Sequence, residues 1–377
     1  LSNQKMIINS KTCSFKPGQT ILEVAENNGF YIPTLCHLKG TTPTGACRVC
    51  VVEVKGASSL MTACSTPAAE NMEVWAESEK VVESRKLTIE LLLCSGRHNC
   101  AAGNGFRNDW TEFQTQAMEN ESDTQELCPA WGDCRLQELA YQYQVSTGRF
   151  ENKISPYEME TVNPLIVRDF SRCILCGRCV KACNEVQVNR AISFGYRGAD
   201  AKIVAAGDRY LKDSDCVFCG QCIQACPVGA LIEKKSMSKW RPREVEKIRT
   251  TCPYCGVGCQ QWLHVRENKI VKVTGVEDGA PNYGRLCVKG RFGYDFIHSE
   301  KRLKTPLIRE NENFREASWD EALDLVAENF KQIIDTHGPD ALAGVSCARS
   351  INEDSYAMQK LFRAVFKTNN IDHCART

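Results

Sequence analysis

Hydrophobic and polar positions along the chain change period several times, and each change marks a new element. Alternating apolar residues predict strands at Met6 to Ile8 and Cys13 to Phe15, joined to a helix from Ile21 to Asn28 by a Lys16-Pro17-Gly18 turn. Thr20 and Glu23 form a capping box at the start of that helix, and Gly29 sits where a left-handed C-terminal cap belongs. A strand is expected at Val51 to Val54. From Ser78 to Leu93, Val81, Val82, Leu87, Leu91 and Leu92 recur at roughly helical spacing. Gly103 to Glu126 has no period and reads as an inserted surface loop, and Cys134 to Val145 is helical again.

Two stretches read as linkers: Ser146 to Asn163, with Gly148 and Pro156 and Pro164 following, and the basic segment Ser236 to Thr250. Between them lies an internal repeat, in which Cys173 to Cys183 recurs at Cys216 to Cys226 with Gly177 and Gly220 in matching places. After Thr251 comes a hairpin, Trp262 to Val265 and Lys269 to Val273. A helix capped by Ser318 and Glu321 then runs to about Thr336 and is closed by Gly338. Ala341 to Ser346 reads as a buried strand with no partner strands before Thr377, and Asn352 caps a further helix.

Cysteine content changes the picture most. There are 23 cysteines in 377 residues, mostly at C-x2-C or C-x3-C spacing, which is the pattern of metal ligation rather than of a disulfide framework. Thiolates on this scale need a reducing compartment, so a cytoplasmic location is expected; the N-terminus has no signal-peptide order and no twin-Arg pair. No apolar run is long enough to span a bilayer. The formal charge of +1 would become negative by roughly eight once thiolates and sulfides are counted, which argues against nucleic-acid binding.

Four constellations follow. Cys36, Cys47, Cys50 and Cys64, with the Gly45-Ala46-Cys47-Arg48-Val49-Cys50 loop supplying two ligands, suit a [2Fe-2S] cluster, because small residues let backbone N–H groups point at sulfur. The order resembles plant-type ferredoxins, with zinc the competing reading. Cys128, Cys134 and the following Leu136-Gln137 resemble the end of the one-His, three-Cys [4Fe-4S] site of respiratory NADH dehydrogenases and [FeFe] hydrogenases; His98 and Cys100 would complete it, with Cys94 the rival of His98. Cys173, Cys176, Cys179 and Cys183, then Cys216, Cys219, Cys222 and Cys226-Pro227, repeat the bacterial two-cluster ferredoxin spacing, in which the fourth Cys of each run serves the other cluster. Asn184 replaces the usual Pro and should alter that turn more than the ligation. Cys252, Cys255, Cys259 and Cys287 resemble the [4Fe-4S] site that opens the molybdopterin oxidoreductases, where Lys289 matches the family Lys between cluster and pterin. Cys13, Cys94, Cys347 and Cys374 remain, and most are expected to be buried apolar thiols.

The whole succession resembles the α subunit of soluble formate dehydrogenases of the molybdopterin oxidoreductase family. The resemblance implies a modular α+β fold. A β-grasp [2Fe-2S] domain occupies 1–79, a His/Cys [4Fe-4S] domain 80–146 and a two-cluster ferredoxin domain 147–245. Residues 246–377 hold a further [4Fe-4S] subdomain and the start of an α/β molybdopterin domain. It also implies one [2Fe-2S] and four [4Fe-4S] clusters, and Mo or W held by a bis-pterin guanine dinucleotide. In the family the metal ligand, a selenocysteine or cysteine, immediately follows a Cys-Ala-Arg-x stretch such as Cys374 to Thr377. No catalytic residue is therefore expected within the chain, and a selenocysteine codon read as a stop is the expected next position, with a deliberately shortened or longer product as the alternatives. Expected partners are a flavin-bearing NAD(P)-binding iron–sulfur subunit and a thioredoxin-like [2Fe-2S] subunit, with an [FeFe] hydrogenase left open. No G-x-G-x-x-G fingerprint appears, so pyridine nucleotide should bind elsewhere. The competing assignment is the large iron–sulfur subunit of an NADH dehydrogenase or [FeFe] hydrogenase complex.

Overall fold

The computed structural model describes residues 4–96, 98, 128–145, 149–151, 157–237, 240 and 242–374, so the loop expected at 103–126 lies outside the described residues. The chain divides into two compact units, Leu1–Val245 and Glu246–Thr377.

The first unit opens with β1 (Gln4–Ile8), β2 (Lys11–Phe15), α1 (Ile21–Asn27), β3 (Val51–Val54), β4 (Met61–Thr62) and β5 (Glu73–Trp75). The strands form one mixed sheet in the order β2-β1-β5-β3-β4, with β1 and β5 parallel and the other pairs antiparallel, as in a β-grasp. Alternation points Met6, Ile8, Cys13 and Phe15 into a core shared with Ile21, Leu22 and Val24 of α1 and with Val52 and Val74. The capping box is present: Thr20 Oγ1 accepts from Glu23 N at 3.3 Å while Glu23 Oε2 accepts from Thr20 N at 2.8 Å. Gly29 adopts the left-handed conformation at φ 78°.

Next come α2 (Glu79–Cys94) and α3 (Arg135–Gln142), which share a core of Ile89, Leu93, Leu136, Leu139 and Ala140. The inward face of α2 is not the one its aliphatic residues suggest. Val81, Arg85, Ile89 and Leu93 are buried at four-residue spacing, whereas Leu87 and Leu91 are 41% and 47% exposed. The buried Arg85 interrupts the stripe and hides its period.

The repeat follows, with β6 (Ile166–Arg168), α4 (Arg178–Lys181), β7 (Ile192–Gly195), β8 (Lys202–Ala205), α5 (Gln221–Ala225) and β9 (Leu231–Glu233). Strands pair only two by two, β6 with β9 and β7 with β8. Backbone geometry repeats with the sequence: Leu175 and Phe218 have φ of 52° and 53°, and Gly177 and Gly220 are the left-handed caps of α4 and α5. The halves part where Asn184 replaces proline. The chain continues as a π-turn from Ala182 to Val186, while Cys226 ends α5 in an extended conformation before Pro227. The linker expected at 146–163 is partly built into the fold: buried Glu160 pairs with buried Arg168, and their backbones bridge in both directions.

The second unit contains β10 (Glu246–Thr251), β11 (Gln260–Arg266) and β12 (Lys269–Gly275) in an antiparallel sheet, then α6 (Val288–Phe292), the hairpin β13 (Leu307–Glu310) and β14 (Asn313–Glu316), α7 (Trp319–His337), β15 (Gly344–Cys347), α8 (Asn352–Lys360) and β16 (Ile371–Cys374). Four expectations are corrected here. The basic linker ends in a strand, β10, whose largely exposed residues carry no apolar alternation. Ala341 to Ser346 yields a shorter strand that is not buried, Val345 being 77% exposed, and it does have a partner in the parallel β16. Asn352 is not a cap: Ile351 occupies that position, and Asn352 Nδ2 instead donates to Gly256 O at 2.7 Å. Ser318 does cap α7 through Glu321 N, but the Glu321 carboxylate pairs with Arg315 rather than closing the box.

Candidate metal centres

Two residues of the first set, Cys50 and Cys64, lie within the N-terminal core. Cys36, Cys50 and Cys64 are buried and Cys47 is half-buried. The Cys47 and Cys64 thiols hydrogen-bond to Cys36, and the Cys47 N–H (3.4 Å) and Thr44 Oγ1 (3.9 Å) also donate to its sulfur, so its thiol is held far below the ordinary value. Cys47 and Cys64, as the donors, are pushed up, and Cys50 is lowered to about 7 chiefly by the Cys64 thiol. Gly45 has φ 61°, and a Cβ there would lie 3.0 Å from Ser65 Oγ, so the loop requires glycine.

The second set gathers at the end of α2 and the start of α3. Cys128 and Cys134 are buried, and Cys134 is the N-cap residue of α3. His98 is buried with Nε2 lacking any hydrogen-bond partner among the described residues. Its pKa falls to about 4, from burial first and then from the Arg172 cation, with Asp169 opposing. Arg172 Nη1 also donates to Cys128 Sγ at 3.0 Å, so one side chain acts on both. Cys94 is buried at the end of α2, where burial and then Glu90 push its thiol up. Cys100 lies outside the described residues.

All eight cysteines of the repeat line one apolar hollow, together with Ile166, Ile192, Ile203 and Leu211. Burial pushes Cys173 up to about 11 and Cys176 to about 12, and Cys179 is raised well above its ordinary value. Among the neighbouring thiols, Cys226 raises Cys173, Cys176 and Cys179, while Cys219 and Cys183 raise Cys216. Cys226 thus lies beside the first run's trio and Cys183 beside Cys216.

In the second unit Cys252, Cys255 and Cys287 all act on Cys259, and Cys252 N donates to Cys259 O at 2.8 Å. Burial, then Cys287 and Cys255, raise Cys252, and Lys289 opposes this. Lys289 Nζ lies 5.9 Å from the Tyr254 ring centroid. Of the four remaining cysteines, Cys13 and Cys94 are buried, but Cys347 and Cys374 are exposed. Register pairing of β15 with β16 brings these two together, with sulfurs 3.4 Å apart.

Among the buried cations that went unnoticed in the sequence, three reach the cysteine segments. Arg85 donates to Val49 O, Val51 O and Tyr143 Oη at 3.1, 2.9 and 2.9 Å, fastening α2 to the Cys47–Cys50 loop. Lys181 Nζ reaches Cys36 O (3.4 Å) and Thr44 Oγ1 (3.3 Å) from the repeat. Arg172 is the third. Only its place directly before Cys173 could have drawn attention to it.

The donor sets fit iron–sulfur clusters. In the repeat the eight thiols line one shared apolar space. The unpartnered buried Nε2 of His98 is a ligand-ready donor.

Comparison with known proteins agrees in order. Residues 5–79 match a 2Fe-2S iron-sulfur cluster binding domain, 172–230 a 4Fe-4S dicluster domain, 245–299 a molybdopterin oxidoreductase Fe4S4 domain and 302–377 a molybdopterin oxidoreductase domain. The chain is 36% identical over 371 residues to the NADPH-Fe(3+) oxidoreductase subunit alpha of Geobacter sulfurreducens, covering 98% of itself and 40% of that protein. It is 32% identical over 407 residues to a Staphylococcus aureus protein named "Putative formate dehydrogenase", covering 98% and 39% respectively. The chain therefore spans about 40% of the length of these relatives. A crystal structure of NAD+-reducing [NiFe]-hydrogenase is similar at 30% identity and TM-score 0.52, over 63% of this chain and 89% of that one. No helix among the described residues is long and apolar enough to cross a membrane.

Proposed function

Since the chain belongs to the molybdopterin oxidoreductase family and carries 2Fe-2S and 4Fe-4S domains, we propose that it is the iron–sulfur electron-transfer portion of a formate dehydrogenase α subunit. The observation that carries the iron–sulfur part is the hollow of the repeat, which eight thiols and aliphatic side chains line together.

In this reading Cys36, Cys47, Cys50 and Cys64 hold a [2Fe-2S] cluster, and four [4Fe-4S] clusters are held by the other sets. His98, Cys100, Cys128 and Cys134 hold the second centre. His98 is preferred to Cys94 because it shares Arg172 with Cys128 and has a free buried nitrogen. Bound clusters would accept and pass on single electrons, linking a two-electron reaction at a Mo or W pterin centre to partner subunits. The chain's own residues then tune and exclude. Cys47 N–H and Thr44 donate to the Cys36 sulfur, Arg172 donates to Cys128, aliphatic side chains keep water from the tandem thiols, and Lys289 places a cation beside Cys252.

Formate as substrate rests on the Staphylococcus relative, and an NAD(P)-linked partner subunit on the hydrogenase and Geobacter relatives. The Geobacter relative also supports a second reading, an NADPH-linked iron oxidoreductase subunit. Anaerobically prepared protein should contain about eighteen iron atoms per chain with matching acid-labile sulfide; zinc without sulfide would remove the proposal. In the complete protein, formate and NADPH should be tried separately as reductants while cluster absorbance is followed. Bleaching by formate supports the first reading, and bleaching by NADPH alone the second.

A further inference from the structure

Arg172 stands where two modules meet. It is buried in the turn that leads into Cys173, yet its guanidinium reaches back to Cys128, 44 residues earlier, with Nη1 3.0 Å from Sγ. The group is held by more than that contact. Nε donates to Asp169 Oδ2 at 3.0 Å, and Asp169 is itself buried and fixed by Ser171 N (3.0 Å) and Ser171 Oγ (2.5 Å). Asp169 N in turn donates to Ala230 O at 2.8 Å, tying the arrangement to the segment after Cys226. The donor is thus built into the repeat while its acceptor belongs to the neighbouring centre.

We propose that Arg172 is a positioning residue that raises the reduction potential of the His98/Cys128/Cys134 centre. This rests on the cluster assignment given above, with the Cys128 thiol standing in for a ligating thiolate. One-electron reduction adds negative charge that spreads onto the ligand sulfurs. A charge-assisted hydrogen bond from a buried cation therefore stabilises the reduced state more than the oxidised one. Asp169 works in the opposite sense, since its carboxylate offsets part of the Arg172 charge while orienting the guanidinium. The two residues should consequently have effects of opposite sign, which a purely structural ion pair would not produce.

The test is an EPR-monitored redox titration of the anaerobically purified protein, following the signal that disappears in C128S. R172Q should lower the reduction equilibrium constant of that centre tenfold or more, a negative shift of at least about 59 mV for one electron. R172K, which keeps a cation but loses the planar fork, should shift the same way by less. D169N should shift the potential positively. Iron and sulfide are counted in each variant, and R172K decides if R172Q loses the cluster. Arg variants that both titrate within twofold of the unmutated protein overturn the proposal, as does a negative shift in D169N. Failure of the cluster assignment itself would show separately, as unmutated protein lacking the four irons of this centre.

Discussion

The N-terminal sheet and the tandem cysteine repeat solve the same problem in opposite ways. In the sheet, Met6, Ile8, Phe15, Leu22, Val24, Val52 and Val74 pack against one another, and two of the four thiols, Cys50 and Cys64, belong to that same packed core. In the repeat, two-stranded ribbons of three or four residues surround a hollow, and Ile166, Ile192, Ile203 and Leu211 face that space together with eight thiols. Isolated two-stranded ribbons are marginal in water, whereas the five-stranded sheet closes on a continuous aliphatic core. The difference leads us to expect that the repeat depends on bound metal more than the sheet does.

Removing iron is the strongest way to break this comparison. Chelation under reducing conditions should unfold the repeat outright, because binding free energy there is folding free energy, while the N-terminal sheet keeps its protected amides. Hydrogen exchange followed by mass spectrometry resolves the two: full exchange across 166–233 with persistent protection in β1, β3 and β5 is expected. Equal loss in both regions would show that the sheet also depends on its cluster.

The polypeptide itself contributes to the repeat the buried pair of Glu160 and Arg168. Arg168 Nε donates to Glu160 Oε2 at 3.0 Å and Nη1 to Ile203 O at 3.3 Å, while Glu160 Oε1 accepts from Leu211 N at 2.9 Å. Arg168→Ala leaves a buried carboxylate unpaired, which costs about 3–5 kcal/mol. The repeat should then release iron faster, with the first set's absorption and circular dichroism unchanged. Unaltered iron release would mean that the clusters alone hold this module.

How far the sequence revealed these features depended on the range over which each is encoded. Cysteine runs and the Thr20-Glu23 box are local, and spacing alone made them readable. Asn184 for proline likewise foretold the altered turn. Arg85, Lys181 and Arg172 reach the cysteine segments across 34 to 145 residues of chain, and no local pattern marks those contacts. Arg85 even disguised the inward face of α2 by interrupting its aliphatic stripe. Strand β10 was hidden for a different reason: its residues are largely solvated, so hydrophobic alternation had nothing to report. The Cys347 and Cys374 pair was missed because each was judged alone, while the register of β15 with β16 brings them together.

The smallest perturbation sharpens the comparison most finely. Thr20 caps α1 through its hydroxyl, and its own N–H is returned to the Glu23 carboxylate, so Thr20→Ala removes half of a reciprocal arrangement and should cost about 1 kcal/mol. The cost should be the same in iron-loaded and iron-free protein, because α1 packs through Ile21, Leu22, Val24 and Ala25 onto strands that need no metal. Denaturant unfolding monitored at Trp75, whose strand β5 lies at the centre of the sheet, reads that difference in both states. A penalty that vanished without iron would mean the helix is already loose there, and the sheet would then belong with the repeat among the modules that metal folds.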